Sequence, residues 1–323
     1  MYMNYKIVNI RALAITLIVL GHSMILYSDS WDIMQTAQSS SFFNFLKDCI
    51  NVVQLEIFFA ISGYLFYFSV KKNKSTNSFI LNKIKRVILP YYCIMFLWMN
   101  PIKYIFHIPG YEYITIKAII KQMCFTGGLV GHLWFLPTLF AIFVIFKLFF
   151  SKIKLNNLYT VFFVYLILCI FSLISPKVTN IFQFYNIMKY SIYFYIGTII
   201  NLYEKDICSI FQRISPFLLY LLIIVAFVCS FKIHSIAVVS TSILIIILYY
   251  IIPNKTNKFI EAVSKNSFGL YLFHSPLIYI TFKFLENFPP FIVVFINFII
   301  GGGIAYLMTN LVRKSRLHFM IGE

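Results

Sequence analysis

Long apolar stretches recur along almost the whole chain, and they constrain its fold more than any other feature. Windows of roughly 17–25 mostly apolar residues alternate with short charged stretches, and each window is long enough for an α-helix to cross about 30 Å of hydrocarbon. Of the 323 residues, 61% are hydrophobic and only 11% are charged, whereas a soluble domain has about 45–50% apolar and about 25% charged residues. We therefore predict an all-α, polytopic helical bundle that is integral to a membrane.

Hydropathy predicts about ten membrane-spanning helices and one membrane-embedded domain over residues 1–323, with no separate soluble domain. With both termini in the cytoplasm, the inner segments carry about twice as many Lys and Arg residues as the outer loops, as the positive-inside rule requires. In this topology Lys47 and Lys103 belong to outer loops. The predicted spans lie near residues 7–27, 49–70, 87–106, 133–150, 159–174, 187–203, 215–231, 235–252, 268–285 and 290–312.

Two function classes are disfavoured by the distribution of charges and cysteines. The net charge of +17 sits mainly in loops between spans, so membrane topology explains it better than nucleic-acid binding does. The six cysteines are scattered without metal-ligand spacing, and we expect buried, inert thiols and no metal site.

Ionisable residues inside the predicted spans are the candidates for function, because a charge at membrane depth costs about 2.5–3.5 kcal/mol on insertion scales. In the first span, Arg11 and His22 lie about 16 Å apart along the helix axis and within about 20° of one face. The alternative is that Arg11 reaches the inner headgroups and His22 the outer interface, each satisfied by a carbonyl group.

Glu56 lies within two turns of the outer end of the second span, at the predicted depth of His22. A carboxylate beside an imidazole fixes its tautomer and raises its basicity, which suits a general base that removes a proton from an alcohol. The alternative is that Glu56 is a structural partner for a neighbouring helix.

Two further histidines, His132 and His274, lie in apolar surroundings in the fourth and ninth spans. Ser267, Tyr271 and His274 follow one another at i, i+4 and i+7 and therefore share one polar stripe facing the bundle interior. The sequence is equally compatible with hydrogen bonds between helices and with substrate contacts for these side chains.

Cations concentrate in the inner loop that precedes Pro90, where the third span begins or bends. Lys83 and Arg86 share a helical face at i, i+3, and Arg11 is predicted to lie just above them. This pattern is typical of a topology and anionic-lipid signal, and it also fits an anion-binding mouth for a phosphorylated donor.

Together these stretches resemble acyltransferase family 3, integral membrane proteins that transfer acyl groups, commonly acetyl or succinyl, onto surface polysaccharides and lipid-linked sugars. Arg11 and His22 match the Arg-x10-His signature of the family's first helix. Glu56, followed by FFAISGYLF, matches the acidic and FFxxSGxL segment of the second helix. The stretch from Lys83 to Pro90 resembles the RxxR region, with lysine at its first basic position.

Later segments extend the resemblance over nearly the whole chain, since LWFL at 133–136 and YLFH at 271–274 match as well. These segments nominate substrate-binding residues. They are His132, Trp134, Tyr271 and His274.

The resemblance implies that His22 is the catalytic histidine, with Glu56 as the carboxylate that orients it. Arg11 would help to hold acyl-CoA, with acetyl-CoA or succinyl-CoA as the co-substrate, and Lys83 and Arg86 would bind its phosphates. Lysine is a point charge rather than a fork, so bidentate phosphate binding is not expected at Lys83.

The expected protein is thus a multi-pass enzyme of a bacterial plasma membrane, with acyl-CoA, a glycan acceptor and the lipid bilayer as its partners. Direct transfer and a transient acyl-histidine both remain open. The rival hypothesis is a transporter or flippase for the same glycans, in which the buried charges line a path. A lipid-binding sensor or scaffold would tolerate replacement of Arg11 and His22.

Overall fold

The computed structural model describes residues 4–29, 38–72, 75–108, 115–126, 128–150, 155, 157–285 and 287–323. Within these ranges the chain is helical and contains no strand, which confirms the predicted all-α class. Several charges used in the topology prediction lie outside the described residues. They are Asp32, Lys74, Glu112, Lys152, Lys154 and Glu286.

Sixteen α-helices occur in the described residues. Turns of π-helix at Ile84–Ile88 and Met95–Met99 join the fourth, fifth and sixth helices, and another at Asn297–Gly301 joins the last two. The helices are α1 (Tyr5–Ser23), α2 (Ser41–Asn51), α3 (Gln54–Lys72), α4 (Thr76–Lys83), α5 (Leu89–Ile94), α6 (Asn100–Ile105), α7 (Ile116–Met123), α8 (Phe135–Phe150), α9 (Leu158–Ile174), α10 (Phe184–Leu202), α11 (Glu204–Gln212), α12 (Pro216–Lys232), α13 (His234–Ile251), α14 (Lys258–Leu285), α15 (Pro290–Ile296) and α16 (Gly302–Lys314).

Seven helical segments of the described chain are long and apolar enough to cross a membrane, and an eighth is added if α11 and α12, bent by 113°, form one span. All of them overlap predicted spans. The predicted spans at 87–106 and 187–203 are helical as well, but π-helical turns interrupt the first, and Tyr and Asn residues lower the hydropathy of the second. The chain is a multi-pass membrane protein, while the count of ten and the cytoplasmic termini stay predictions.

The chain divides into two compact units, and a single domain over 1–323 stays a prediction. The first unit comprises Met1–Arg11, Val52–Lys83 and Thr138–Thr256. The second unit comprises Ala12–Asn51, Ile84–Pro137 and Asn257–Glu323.

The first unit is organised around α10, which packs against α3, α9 and α13. Two glycines allow α3 and α10 to approach closely, because a Cβ atom at Gly63 would overlap the carbonyl oxygen of Phe194, and one at Gly197 would overlap that of Ala60. Small residues at a helix crossing are the usual way for membrane helices to gain backbone contact, since lipid offers no hydrophobic driving force between them.

The second unit is organised around α14, which packs against α6 and α16. Gly269 of α14 lies against Thr309 of α16, where a Cβ atom would overlap the threonine side chain. After α16 the chain turns back, and Arg313 holds Glu323 through hydrogen bonds of 2.6 to 2.9 Å. This unit carries the three histidines that the sequence singles out.

We expect Gly197→Ala to destabilise the protein by about 1–3 kcal/mol, because its methyl group must push α3 away from α10. Gly303→Ala is the matched control, since a Cβ atom there meets nothing within 4 Å. Thermal unfolding of the detergent-solubilised variants measures the difference. Equal melting temperatures for the two variants would contradict the close crossing of α3 and α10.

Candidate active site

His22, His132 and His274 lie side by side in the second unit. The ring centroids of His22 and His274 are 4.9 Å apart, and those of His132 and His274 are 5.6 Å apart. His132 and His274 are buried, whereas the His22 ring is half-buried and the most accessible of the three. Three imidazoles from α1, α14 and the turn before α8 thus form one cluster, which we call the histidine cluster.

Helix carbonyls fix the protonation pattern of His22 and His274. Nδ1 of His22 lies 2.9 Å from the carbonyl oxygen of Ile18, and Nδ1 of His274 lies 2.8 Å and 2.9 Å from those of Leu270 and Tyr271. A carbonyl oxygen only accepts hydrogen bonds, so both Nδ1 atoms must carry the proton. In a neutral ring the Nε2 atom then holds a lone pair.

His132 has the opposite tautomer, because its Nε2 atom lies 3.4 Å from the carbonyl oxygen of Leu272. Its Nδ1 atom and the Nε2 atom of His274 are buried and have no hydrogen-bond partner within the described residues. The described chain also offers no partner for Nε2 of His22. Each ring therefore presents a lone pair that can accept a hydrogen bond from a ligand.

A glycine turn and a tyrosine position His132. Gly131 has φ +56° and ψ −147°, a conformation that is essentially restricted to glycine, and it turns the backbone just before α8. The Tyr271 hydroxyl donates a hydrogen bond to the carbonyl oxygen of His132, and the two rings are 5.5 Å apart. Tyr271, expected to bind substrate, is thus engaged in holding a histidine.

Two lysines near the histidine cluster lie in different surroundings from those predicted. Lys47 and Lys103 are not in outer loops but inside helices, where they are only 5% and 2% exposed. Lys47 interacts electrostatically with His22, and Lys103 with His132. The burial of Lys103 could have been predicted, because Lys103 falls within the predicted span 87–106. No comparable feature of the sequence predicts the burial of Lys47.

Lys103 lies directly against the glycine turn. Its ammonium group is 3.2 Å from where a Cβ atom of Gly131 would stand, and 4.5 Å from the ring centroid of Tyr279. The glycine therefore has two functions, since it adopts a backbone conformation that other residues avoid and leaves room for the end of a buried lysine side chain.

Trp134 directly precedes α8 and is half-buried. Its ring is 6.5 Å from Phe135, which in turn is 5.4 Å from Tyr271. A substrate contact of Trp134 stays a prediction.

Glu56 belongs to the first unit, where it is buried on α3. It interacts electrostatically with Lys189 and Tyr190 of α10, which favours its role as a partner for a neighbouring helix. The carbonyl of Ile18 provides the orienting contact that the structure gives to His22. A pairing of Glu56 with His22 stays a prediction.

The three predicted donor-binding residues belong to different units. Arg11 and Lys83 are half-buried in the first unit, and the Lys83 ammonium lies 3.6 Å from the ring centroid of Phe143. Arg86 is exposed in the second unit, within a π-helical turn that breaks the regular i, i+3 spacing after Lys83. Their joint contact with one donor stays a prediction.

Within the described residues, no group of three or more His, Cys, Asp or Glu side chains has a geometry that could hold a metal ion. The lone pairs on the three rings can accept hydrogen bonds from donors such as the hydroxyl groups of a substrate. This arrangement suits base chemistry on an alcohol.

Comparison with known proteins agrees with the motifs in the sequence. Residues 4–309 of the 323 match the family model described as an acyltransferase domain, which defines acyltransferase family 3. No curated protein and no solved structure matches the chain. The family model includes every residue of the histidine cluster and all of the membrane-spanning segments up to residue 309. The chain therefore belongs to acyltransferase family 3 and is a membrane acyltransferase.

Proposed function

We propose that the chain is an O-acyltransferase of a bacterial plasma membrane, which moves an acyl group from cytoplasmic acyl-CoA to a hydroxyl group of a surface or lipid-linked glycan. Acetyl is the first choice of acyl group and succinyl the second. The main support is the lone pair on Nε2 of His22. The hydrogen bond from Nδ1 to the Ile18 carbonyl fixes the ring in this tautomer, and His22 is half-buried at the histidine cluster. Such a nitrogen is a ready general base.

In the proposed step, Nε2 of His22 removes the proton of an acceptor hydroxyl as the oxygen attacks the thioester carbonyl carbon. A C–O bond forms, the C–S bond breaks, and the imidazolium returns the proton to the departing CoA thiolate. Alternatively, Nε2 itself attacks the thioester, so that a C–N bond forms, the C–S bond breaks and CoA leaves as its thiolate. The acceptor hydroxyl then attacks the acyl-histidine, the C–N bond breaks, and the hydroxyl proton passes to the CoA thiolate or to solvent.

The two buried histidines supply acceptor recognition in this proposal. Nδ1 of His132 and Nε2 of His274 can each accept a hydrogen bond from a neighbouring hydroxyl of the same sugar. An acceptor that lacks these hydroxyls would leave buried nitrogens unpaired, which is costly. Lys47 adds positive charge beside His22, which favours the oxyanion that develops during acyl transfer.

Arg11, Lys83 and Arg86 are proposed to bind the donor. Arg86 is exposed and can meet a CoA phosphate in water, while Lys83 would move its ammonium group from the Phe143 ring to a phosphate.

His22→Ala should lower acyl transfer by at least about 100-fold, because general-base catalysis contributes about 10²–10⁴-fold. His318→Ala is the control, since His318 is an exposed histidine at the end of the chain. Mass spectrometry of surface glycans from cells with the intact gene, a deletion and each variant measures the O-acyl group. Transfer that survives in His22→Ala would overturn the mechanism, and unmodified glycans with reduced export in the deletion would favour a transporter.

Arg86→Ala should raise the KM for acyl-CoA at least about tenfold and leave kcat nearly unchanged, because a charged hydrogen bond to a phosphate contributes about 1.5–3 kcal/mol. Lys85→Ala is the matched control, as Lys85 is the neighbouring exposed cation in the same π-helical turn. Steady-state kinetics on protein in nanodiscs separates the two. Equal effects of both variants would indicate a general electrostatic attraction rather than a specific phosphate contact at Arg86.

A further inference from the structure

An apolar cavity of about 540 Å³ lies in the second unit, between α1, α14, α16 and the π-helical turn before α16. This volume is within the range of about 300–1,000 Å³ that is typical of small-molecule sites. Most of the walls are aliphatic or aromatic. The Thr16 hydroxyl, one of few polar groups in the lining, donates to the carbonyl oxygen of Ala12 in its own helix.

The cavity adjoins the histidine cluster along α1. Ile15 and Val19 line the cavity, and they precede His22 by seven and three residues, which is about 10 Å and about 5 Å along the helix. At 100° per residue, both lie within about 60° of the His22 face. A chain that starts at His22 can therefore follow this face of α1 into the cavity.

Helix α14, which carries His274, also connects the cavity wall to the histidine cluster. Leu270 lines the cavity, and its carbonyl oxygen accepts the hydrogen bond from Nδ1 of His274 at 2.8 Å. One turn of α14 thus forms part of the apolar wall and also orients the His274 ring. The cavity lining comes within about one helical turn of the histidine cluster on both α1 and α14.

On the α16 side of the cavity, two glycines leave space because they have no side chain. A Cβ atom at Gly303 would meet nothing within 4 Å, and one at Gly302 would only touch Val19 at 3.4 Å. Both glycines line the cavity, whereas Gly301, at which a Cβ atom also meets nothing within 4 Å, does not. Side chains at Gly303 would therefore occupy the cavity without a clash at their first carbon.

We propose that this cavity binds the hydrocarbon chain of the acyl donor, so that the enzyme accepts apolar acyl groups longer than acetyl. The thioester carbonyl would lie at His22, with the polar CoA arm leaving in one direction and the alkyl chain entering the cavity in the other. The cavity revises the order of acyl groups given by the family resemblance: succinyl, the second choice there, is disfavoured here, because its carboxylate would be buried among apolar side chains without a partner. This inference rests on the proposed acyl-CoA-dependent function and specifies its substrate class.

The test measures equilibrium binding of acetyl-, hexanoyl- and succinyl-CoA to the full chain in phosphatidylcholine nanodiscs, with empty nanodiscs as the blank. Burial of each CH₂ group contributes about 0.8 kcal/mol, which is about fourfold in affinity. We expect hexanoyl-CoA to bind at least about tenfold more tightly than acetyl-CoA, and succinyl-CoA more weakly. Gly303→Leu should remove the hexanoyl advantage and change acetyl-CoA binding less than about threefold.

Gly301→Leu is the matched control, since it makes the same change in the same glycine run outside the cavity. Thermal unfolding confirms that both variants are folded, and the smaller steps Gly303→Ala and Gly303→Val give a graded series if Gly303→Leu is unstable. Equal affinities of wild type for acetyl- and hexanoyl-CoA, or a chain-length-independent loss in Gly303→Leu, would overturn the inference. Absence of binding by all three thioesters would instead contradict the proposed function.

Discussion

Hydrogen bonds from imidazole N–H groups to the carbonyls of their own helices are the interaction on which the site depends. A buried N–H group needs an acceptor, and in a membrane helix the nearest acceptor is the backbone carbonyl one turn earlier. His22 and His274 both use it, with Ile18 and Leu270 as partners. Because the single N–H group of each neutral ring donates to the backbone, the other ring nitrogen keeps a lone pair. Local helix geometry thus produces the base that acyl transfer requires.

The close helix contacts have a similar origin in the lipid environment. Without a hydrophobic driving force between helices, packing depends on small residues that let backbones meet. Gly63 and Gly197 serve this purpose in the first unit, and Gly269 does so in the second. Gly303 has the opposite effect, since it leaves space instead of allowing contact. The same residue type therefore builds both the rigid helix crossings and the one large cavity described beside the histidines.

Much of this arrangement could be predicted from the sequence, because apolar length and ionisable residues at membrane depth are strong signals. Hydropathy located the seven or eight helical segments of the described chain that could cross a membrane, and isolated histidines in apolar runs pointed to His22, His132 and His274. Other features depend on contacts between distant segments and leave no local trace. Lys47 has the sequence surroundings of a loop cation, yet tertiary packing buries it. The π-helical turn at Arg86 likewise breaks a spacing that assumes a regular helix.

The pairing of a polar cluster with an apolar cavity bears on the choice between chemistry and transport. A glycan carries hydroxyl groups on every side, so a path for its passage should be polar along its length. An acyl donor instead presents one polar carbonyl at the end of an apolar chain. In the second unit, lone pairs and an aliphatic wall lie on the same faces of α1 and α14. That combination matches the two ends of an acyl group, and it makes His22, the accessible ring at their junction, the place where transfer is expected.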